Sequence, residues 1–296
     1  MVDISEVISK TAYELLKRAA TKLPQDVKRA LQRAYENESS PIGKAQLRAM
    51  LDNVEMAEKY NISICQDTGI PLFFVKWGLK SGLTIDIRRP IVEATRKATL
   101  DVPLRPNVIN PLTKENPGTN VGWGMPYIYY DLDPEADYIE ITAVPKGFGS
   151  EAKSTLVWIT TSEPIPEAIV RCVVDNTVTA MGEPCPPTIV GLGIGGTADI
   201  ALHLAKKAIF RTPLGSPHLD PVVAELERRV LKALNSTGLG PMAMGGDTTC
   251  LAVHAEICGT HTAVVPLGIT YQCWVARYST ARVYPNGEVI YITHPE

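Results

Sequence analysis

The stretch Ile62-Ser63-Ile64-Cys65-Gln66-Asp67-Thr68-Gly69-Ile70-Pro71 sets a polar, reactive tetrad between two apolar, β-branched runs. Residues 62–64 and 70–76 read as buried strands, while Asp67-Thr68-Gly69 is turn chemistry. Cys65, Gln66 and Asp67 are therefore expected at a strand end facing a cleft. A thiol, an amide and a carboxylate so placed suit a reactive site. The plain alternative is a buried cysteine followed by a capped turn, since cysteine packs as a small hydrophobe. The rest of the chain has to decide between them.

With 296 residues, 45% hydrophobic and 21% charged, the chain can bury one large core or two smaller ones. No long uncharged apolar window appears, and Met1-Val2-Asp3-Ile4-Ser5-Glu6 lacks a basic region followed by an apolar one. Neither a membrane span nor a secretory signal is expected, and the chain reads as cytoplasmic. A net charge of -3 and a pI near 6.0 offer no broad electropositive surface, which argues against nucleic acid as the main partner. Six cysteines without close C-x-x-C pairs suit a reducing compartment better than a disulfide framework.

Outward from the opening stretch, apolar side chains at three- and four-residue spacing predict helices over 5–20 and 24–36, and Ser40-Pro41 starts a third. The basic set Lys17, Arg18, Lys22, Lys28, Arg29 and Arg33 spreads around these helices as solvated surface. Strand-like runs at 71–77 and 83–87 precede a helix over 90–100. An irregular stretch over 105–124 follows, then alternating strands at 127–131 and 138–144. A helix from Pro166 to Met181, a strand over 188–192, helices over 197–210 and 218–235, and a strand over 251–257 come next. Two strand runs around Asn286-Gly287 form a hairpin. The class is α+β: an N-terminal helical segment over 1–60, then mixed and antiparallel sheets flanked by helices over 61–296, read as one continuous structural unit.

Four places carry possible chemistry. Arg105 lies in Pro-Leu-Arg-Pro-Asn, where flanking prolines stiffen the backbone and ready a guanidinium for a carboxylate. The run Lys146-Gly147-Phe148-Gly149-Ser150-Glu151 follows a strand, and its glycines let N–H groups approach an anion. Cys185 is caged by prolines in Pro184-Cys185-Pro186-Pro187, a rigid setting for a metal ligand. Gly191-Leu192-Gly193-Ile194-Gly195-Gly196 satisfies the dinucleotide fingerprint locally, which raises a dehydrogenase as the rival reading. No second strand ending in an acidic ribose ligand follows, so an anion pocket is kept and NAD set aside.

Cys65, Cys185 and Cys273 each sit in a turn or strand end beside Gly or Pro. A [4Fe–4S] cluster held by three thiolates leaves one iron open as a Lewis acid, which suits hydration chemistry. Zinc with three thiolates is the physical alternative, though the usual short ligand spacings are missing.

The ordered motifs Ile64-Cys65-Gln66-Asp67-Thr68-Gly69, Lys146-Gly147-x-Gly149-Ser150-Glu151, Cys185-Pro186-Pro187, Gly193-Ile194-Gly195-Gly196-Thr197, Gly245-Gly246-Asp247-Thr248-Thr249, His261-Thr262 and Gln272-Cys273-Trp274 resemble the class I, iron–sulfur fumarate hydratases. The likeness is to the α subunit of the two-subunit form, with the L-tartrate dehydratase α subunit as close kin. It implies a [4Fe–4S] cluster on Cys65, Cys185 and Cys273, Asp67 and His261 as catalytic residues, and Gln66, Arg105, Lys146, Gly147 and Gly149 as contacts of a small dicarboxylate. It also implies a separate β subunit that completes the site and supplies the base, so this chain alone is expected to be inactive. Phe148 and Ala152 depart from the family pattern, which bears on the substrate loop and leaves the cluster ligands untouched.

Overall fold

The computed structural model describes residues 2–102 and 104–294. In chain order the elements are α1 (Ile4–Thr21), α2 (Gln25–Asn37), α3 (Pro41–Tyr60), β1 (Ile70–Gly78), α4 (Arg88–Asp101), β2 (Tyr127–Asp133), β3 (Ile139–Lys146), the single turn α5 (Phe148–Glu151), β4 (Thr155–Thr160), α6 (Ile165–Ala180), β5 (Thr188–Ile194), α7 (Ala198–Ala208), α8 (Pro221–Asn235), β6 (Cys250–Ile257), β7 (Val264–Gln272), β8 (Ser279–Val283) and β9 (Val289–Tyr291). The fold is α+β. Among the described residues no helix is long and apolar enough to cross a membrane.

The chain divides into two compact units, one gathering residues up to 25, 53–148 and from 277 onward, the other 26–52 and 149–276. In the first, the sheet order is β2-β1-β3-β8-β9, with β1 and β2 parallel and the other neighbours antiparallel. Its core packs Ile8, Leu15 and Leu16 of α1 and Ile91, Ala94 and Ala98 of α4 against Phe73, Val75, Ile139, Ile141 and Ala281 of the sheet. Alternation along β3 sends Ile139, Ile141 and Ala143 to that face. In the second unit, the order is β4-β7-β5-β6. Val190 and Leu192 of β5 join α6 and α8 in one core. Gly191 and Gly193 alternate with them and so face the other way, where α7 packs.

Two expected strands are not strands. In residues 62–64 the backbone is occupied elsewhere: the Ile64 N–H donates to the Ala20 carbonyl at 3.1 Å and its carbonyl accepts from Asn53 Nδ2 at 2.8 Å. Asn61, at φ 52, ends α3 just before, and Ile62 is exposed. Residues 83–87 are also unpaired. Gly82 turns the chain at φ 64, and Asp86 Oδ1 accepts from the Arg88 and Arg89 N–H groups at the start of α4. The helix expected over 218–235 starts at Pro221, because the Asp220 side chain caps it through Val222 N. Arg18 is not solvated surface: it is buried, bonded to Glu14 and the His294 carbonyl, and stacked over Tyr291.

A Cβ built on Gly193 would lie 1.9 Å from the Ala201 carbonyl oxygen, and one on Gly191 2.2 Å from that of Ala205. Backbone cannot yield there as a flexible side chain would. Gly193→Ala is therefore expected to lower stability by roughly 3 kcal/mol, read as a fall in the urea midpoint at unchanged slope.

Candidate active site

In the first unit, β1 and β3 pair antiparallel with Ile70 opposite Lys146 and Pro71 opposite Pro145. The turn that enters β1 and the loop that leaves β3 thus meet at one end of the sheet. Asp67 occupies that meeting point. Its Oδ1 accepts from Gly69 N at 2.9 Å and Asn107 Nδ2 at 3.2 Å, and its Oδ2 accepts from Phe148 N at 2.9 Å. The turn is tight: Gly69 sits at φ 80, where a Cβ would meet the Pro145 carbonyl carbon at 2.5 Å.

A cavity of about 520 Å³ opens beside this turn, lined among others by Asp67, Arg105, Asn107, Met125, Lys146 and Phe148. Two cations, one carboxylate and one amide thus face a space large enough for a small diacid. Lys146 is fully buried, with Nζ 3.2 Å from the Gly147 carbonyl. Arg105 is exposed, while its backbone is held: its N–H donates to Thr68 Oγ1 at 2.8 Å, and its carbonyl accepts from Asn120 Nδ2 at 3.0 Å. Asn120 Oδ1 also accepts from Asn107 N and Val108 N. Side-chain clamps therefore fix Arg105 on this wall. Of the two prolines expected to stiffen it, Pro106 is described and Pro103 lies outside the described residues.

Asn107 was not anticipated from sequence. It donates to both Asp67 Oδ1 and the Gly69 carbonyl, and only its place in a stretch rich in Asn and Pro hinted at such a role. The Phe148 N–H, between the two glycines of that loop, is engaged by Asp67. Gln66 is exposed beside it.

In the second unit, Cys185 holds a left-handed φ of 54, uncommon for a residue with a side chain. Its N–H donates to the Gly182 carbonyl and its carbonyl accepts from Trp274 N at 3.2 Å, which brings the Cys185 loop beside Cys273. The Pro186 carbonyl accepts from Met242 N at 2.8 Å. Behind these loops lies the Gly245–Thr249 motif, whose Asp247 and Thr248 N–H groups donate to the buried Glu38 carboxylate at 2.8 and 3.1 Å. The Asp247 carboxylate in turn accepts from Ser39 N, and hydrogen bonds from the Ser39 side chain and then its backbone hold the Asp247 pKa below the usual range. This motif is a brace. Gly191 and Gly193 of the fingerprint serve the packing of α7 on β5, and the first turn of α7 carries its own Asp199. His261 is exposed in a turn, its Nδ1 accepting from Ala263 N at 3.2 Å. Gly149 is also exposed; a Cβ there would meet the Glu183 carbonyl at 2.9 Å.

All six cysteines are thiols. Burial pushes Cys250 up to about 12, and burial also raises Cys172 on α6, so neither is a ready thiolate. Cys65, Cys185 and Cys273 are half-buried in turns or at strand ends, a donor chemistry that fits a thiolate-held iron–sulfur cluster. Cys65 belongs to the first unit and the other two to the second. Among the described residues no three or more His, Cys, Asp or Glu side chains are grouped to hold a single metal ion.

Residues 9–282 match the model of the fumarate hydratase (Fumerase) family. A Methanocaldococcus jannaschii protein provisionally named L(+)-tartrate dehydratase subunit alpha is 48% identical over 279 residues, covering 93% of this chain and 97% of its own. The L(+)-tartrate dehydratase α subunits of Escherichia coli K12 and Shigella sonnei are each 34% identical over 267 residues, covering 90% of this chain and 88% of theirs. A match of this extent places the chain in a family, and it belongs to the fumarate hydratase (Fumerase) family of hydro-lyases.

Proposed function

We propose that this chain is the α subunit of an iron–sulfur hydro-lyase that adds water reversibly to fumarate, giving L-malate. The observation that carries the reading is the cavity of the first unit, where Arg105 and Lys146 present two positive charges around the fixed carboxylate of Asp67. A small dianion is what such a wall attracts. The name carried by the relatives favours a second reading on the same site, dehydration of L-tartrate to oxaloacetate.

In either reading Cys65, Cys185 and Cys273 are the proposed ligands of a [4Fe–4S] cluster, which when bound supplies a Lewis-acidic iron. The chain's own residues do the rest. Arg105 takes one carboxylate through its planar fork, and Lys146 adds charge at the back of the cavity. Asp67, oriented by Asn107 Nδ2 and Phe148 N, takes the proton from water in hydration and returns it to the departing hydroxyl in dehydration. His261 is the proposed partner in that proton transfer. Gln66, Gly147 and Gly149 are proposed contacts of the diacid. The base for the substrate C–H is assigned to a β subunit, consistent with the word alpha in the relatives' names.

Anaerobic co-expression with the β subunit tests the reading. Iron and acid-labile sulfide in the ratio of a [4Fe–4S] cluster are expected, with fumarate and malate interconverted and L-tartrate untouched. Tartrate turnover alone would select the second reading, and zinc in place of iron would defeat both. Asp67→Asn is expected to lower kcat by roughly 10²–10⁴-fold while the iron content stays that of the wild type. Asn107→Ala removes one donor from the carboxylate and is expected to lower kcat by about 10–100-fold, with KM for fumarate little changed.

A further inference from the structure

Arg277 is nearly fully buried at 2% exposure, the largest such side chain among the described residues, and none of the roles above uses it. Its Nε donates to the Pro145 carbonyl at 3.0 Å and its Nη2 donates to the Asp67 carbonyl. One guanidinium thus ties the turn that enters β1 to the strand end that leads into the Lys146–Phe148 loop. Gly147 lies against the same group. A Cβ there would stand 3.5 Å from Arg277 Nη2 and 3.5 Å from Asp67 Oδ2, so the absent side chain leaves a wedge between guanidinium and carboxylate. The remaining nitrogen, Nη1, is buried without an acceptor among the described residues. An idle buried donor costs about 1–3 kcal/mol, so a brace needed for stability alone would be better made by a smaller group.

We propose that Arg277 is a positioning residue for the reaction: by holding the carbonyls of Asp67 and Pro145 together, it fixes the direction in which the Asp67 carboxylate meets the substrate. The proposal rests on the hydro-lyase reading for its consequence in turnover. Its structural content, that one side chain locks two segments, is tested separately.

The experiment compares wild type, Arg277→Met and Arg277→Lys, each co-expressed anaerobically with the β subunit. It measures amide hydrogen exchange by mass spectrometry and steady-state turnover of fumarate and L-tartrate. Arg277→Met keeps most of the volume and loses both hydrogen bonds. It is expected to speed exchange in peptides covering 65–69 and 145–148, where the Gly69 and Phe148 N–H groups serve Asp67, and to leave distant peptides unchanged. A misplacement of about 1 Å at a reacting group lowers kcat by roughly 10²-fold, and that loss is expected with KM shifted far less. Arg277→Lys, which reaches one carbonyl at a time, is expected to fall between the two on both measures, with wild-type iron content. Unchanged exchange in both peptides would overturn the proposal. So would faster exchange spread evenly over the chain in the Lys variant as well as the Met variant, since that marks loss of stability rather than of positioning. If the wild type turns over neither diacid, the hydro-lyase reading falls, while the exchange pattern still decides whether Arg277 locks the two segments.

Discussion

A carboxylate with donors on both oxygens has little freedom left, and Asp67 is held in that way by Gly69 N, Asn107 Nδ2 and Phe148 N. Its backbone carbonyl is held too, by Arg277. These four contacts come from the turn itself, a neighbouring loop, the strand-end loop and the segment that leads into β8. Everything else in the first unit's cavity is arranged around them. The antiparallel register that sets Ile70 against Lys146 brings the segments to one place. The Thr68 hydroxyl, one residue on, holds the Arg105 N–H and so sets the cationic wall beside the carboxylate. Charge, shape and direction in this cavity are properties of backbone pairing before they are properties of side chains.

The second unit answers a different constraint. Its helix α7 lies so close to the sheet that carbonyl oxygens occupy the places where side chains on Gly191, Gly193 and Gly268 would start. This accounts for a glycine-rich run that looks like a nucleotide fingerprint in the sequence. The loops bearing Cys185 and Cys273 hang from the same sheet and are joined by the bond from Trp274 N to the Cys185 carbonyl. Cys185 departs from ordinary backbone geometry, and positions of that kind concentrate where a side chain must be aimed.

Much of this was legible in the sequence, and the omissions have physical causes. Helices α1, α2 and α3, strands β1, β3, β5 and β6, and the hairpin at Asn286-Gly287 follow from apolar spacing and turn chemistry, which act locally. The polar turn at Cys65 to Gly69 was visible because polar residues interrupt apolar ones there. Residues 62–64 misled because an apolar, β-branched run has strand propensity whatever its backbone is paired with. Here the Ala20 carbonyl and the Asn53 amide took those bonds. Arg18 misled because a charge on an amphipathic helix reads as solvated until a distant ring, that of Tyr291, is seen to cover it. Asn107, Asn120 and Arg277 stayed hidden for a related reason. Their partners lie far away along the chain, and no periodicity or spacing marks a side chain whose task is to bind a remote backbone carbonyl or carboxylate.

The sequence distance between these partners also sets an order of assembly. The Phe148 amide and Asp67 are 81 residues apart, and Arg277 and Asp67 are 210 apart. Contacts of such separation form after local ones, because the entropy of closing the intervening chain has to be met first. During synthesis the helices of the first unit can form early, yet the cavity wall lacks its Arg277 brace until residue 277 has left the ribosome. An unfinished chain therefore presents Cys65 and Asp67 on a loose turn rather than in a shaped site, and reactive geometry appears only once the rest of the protein exists to contain it.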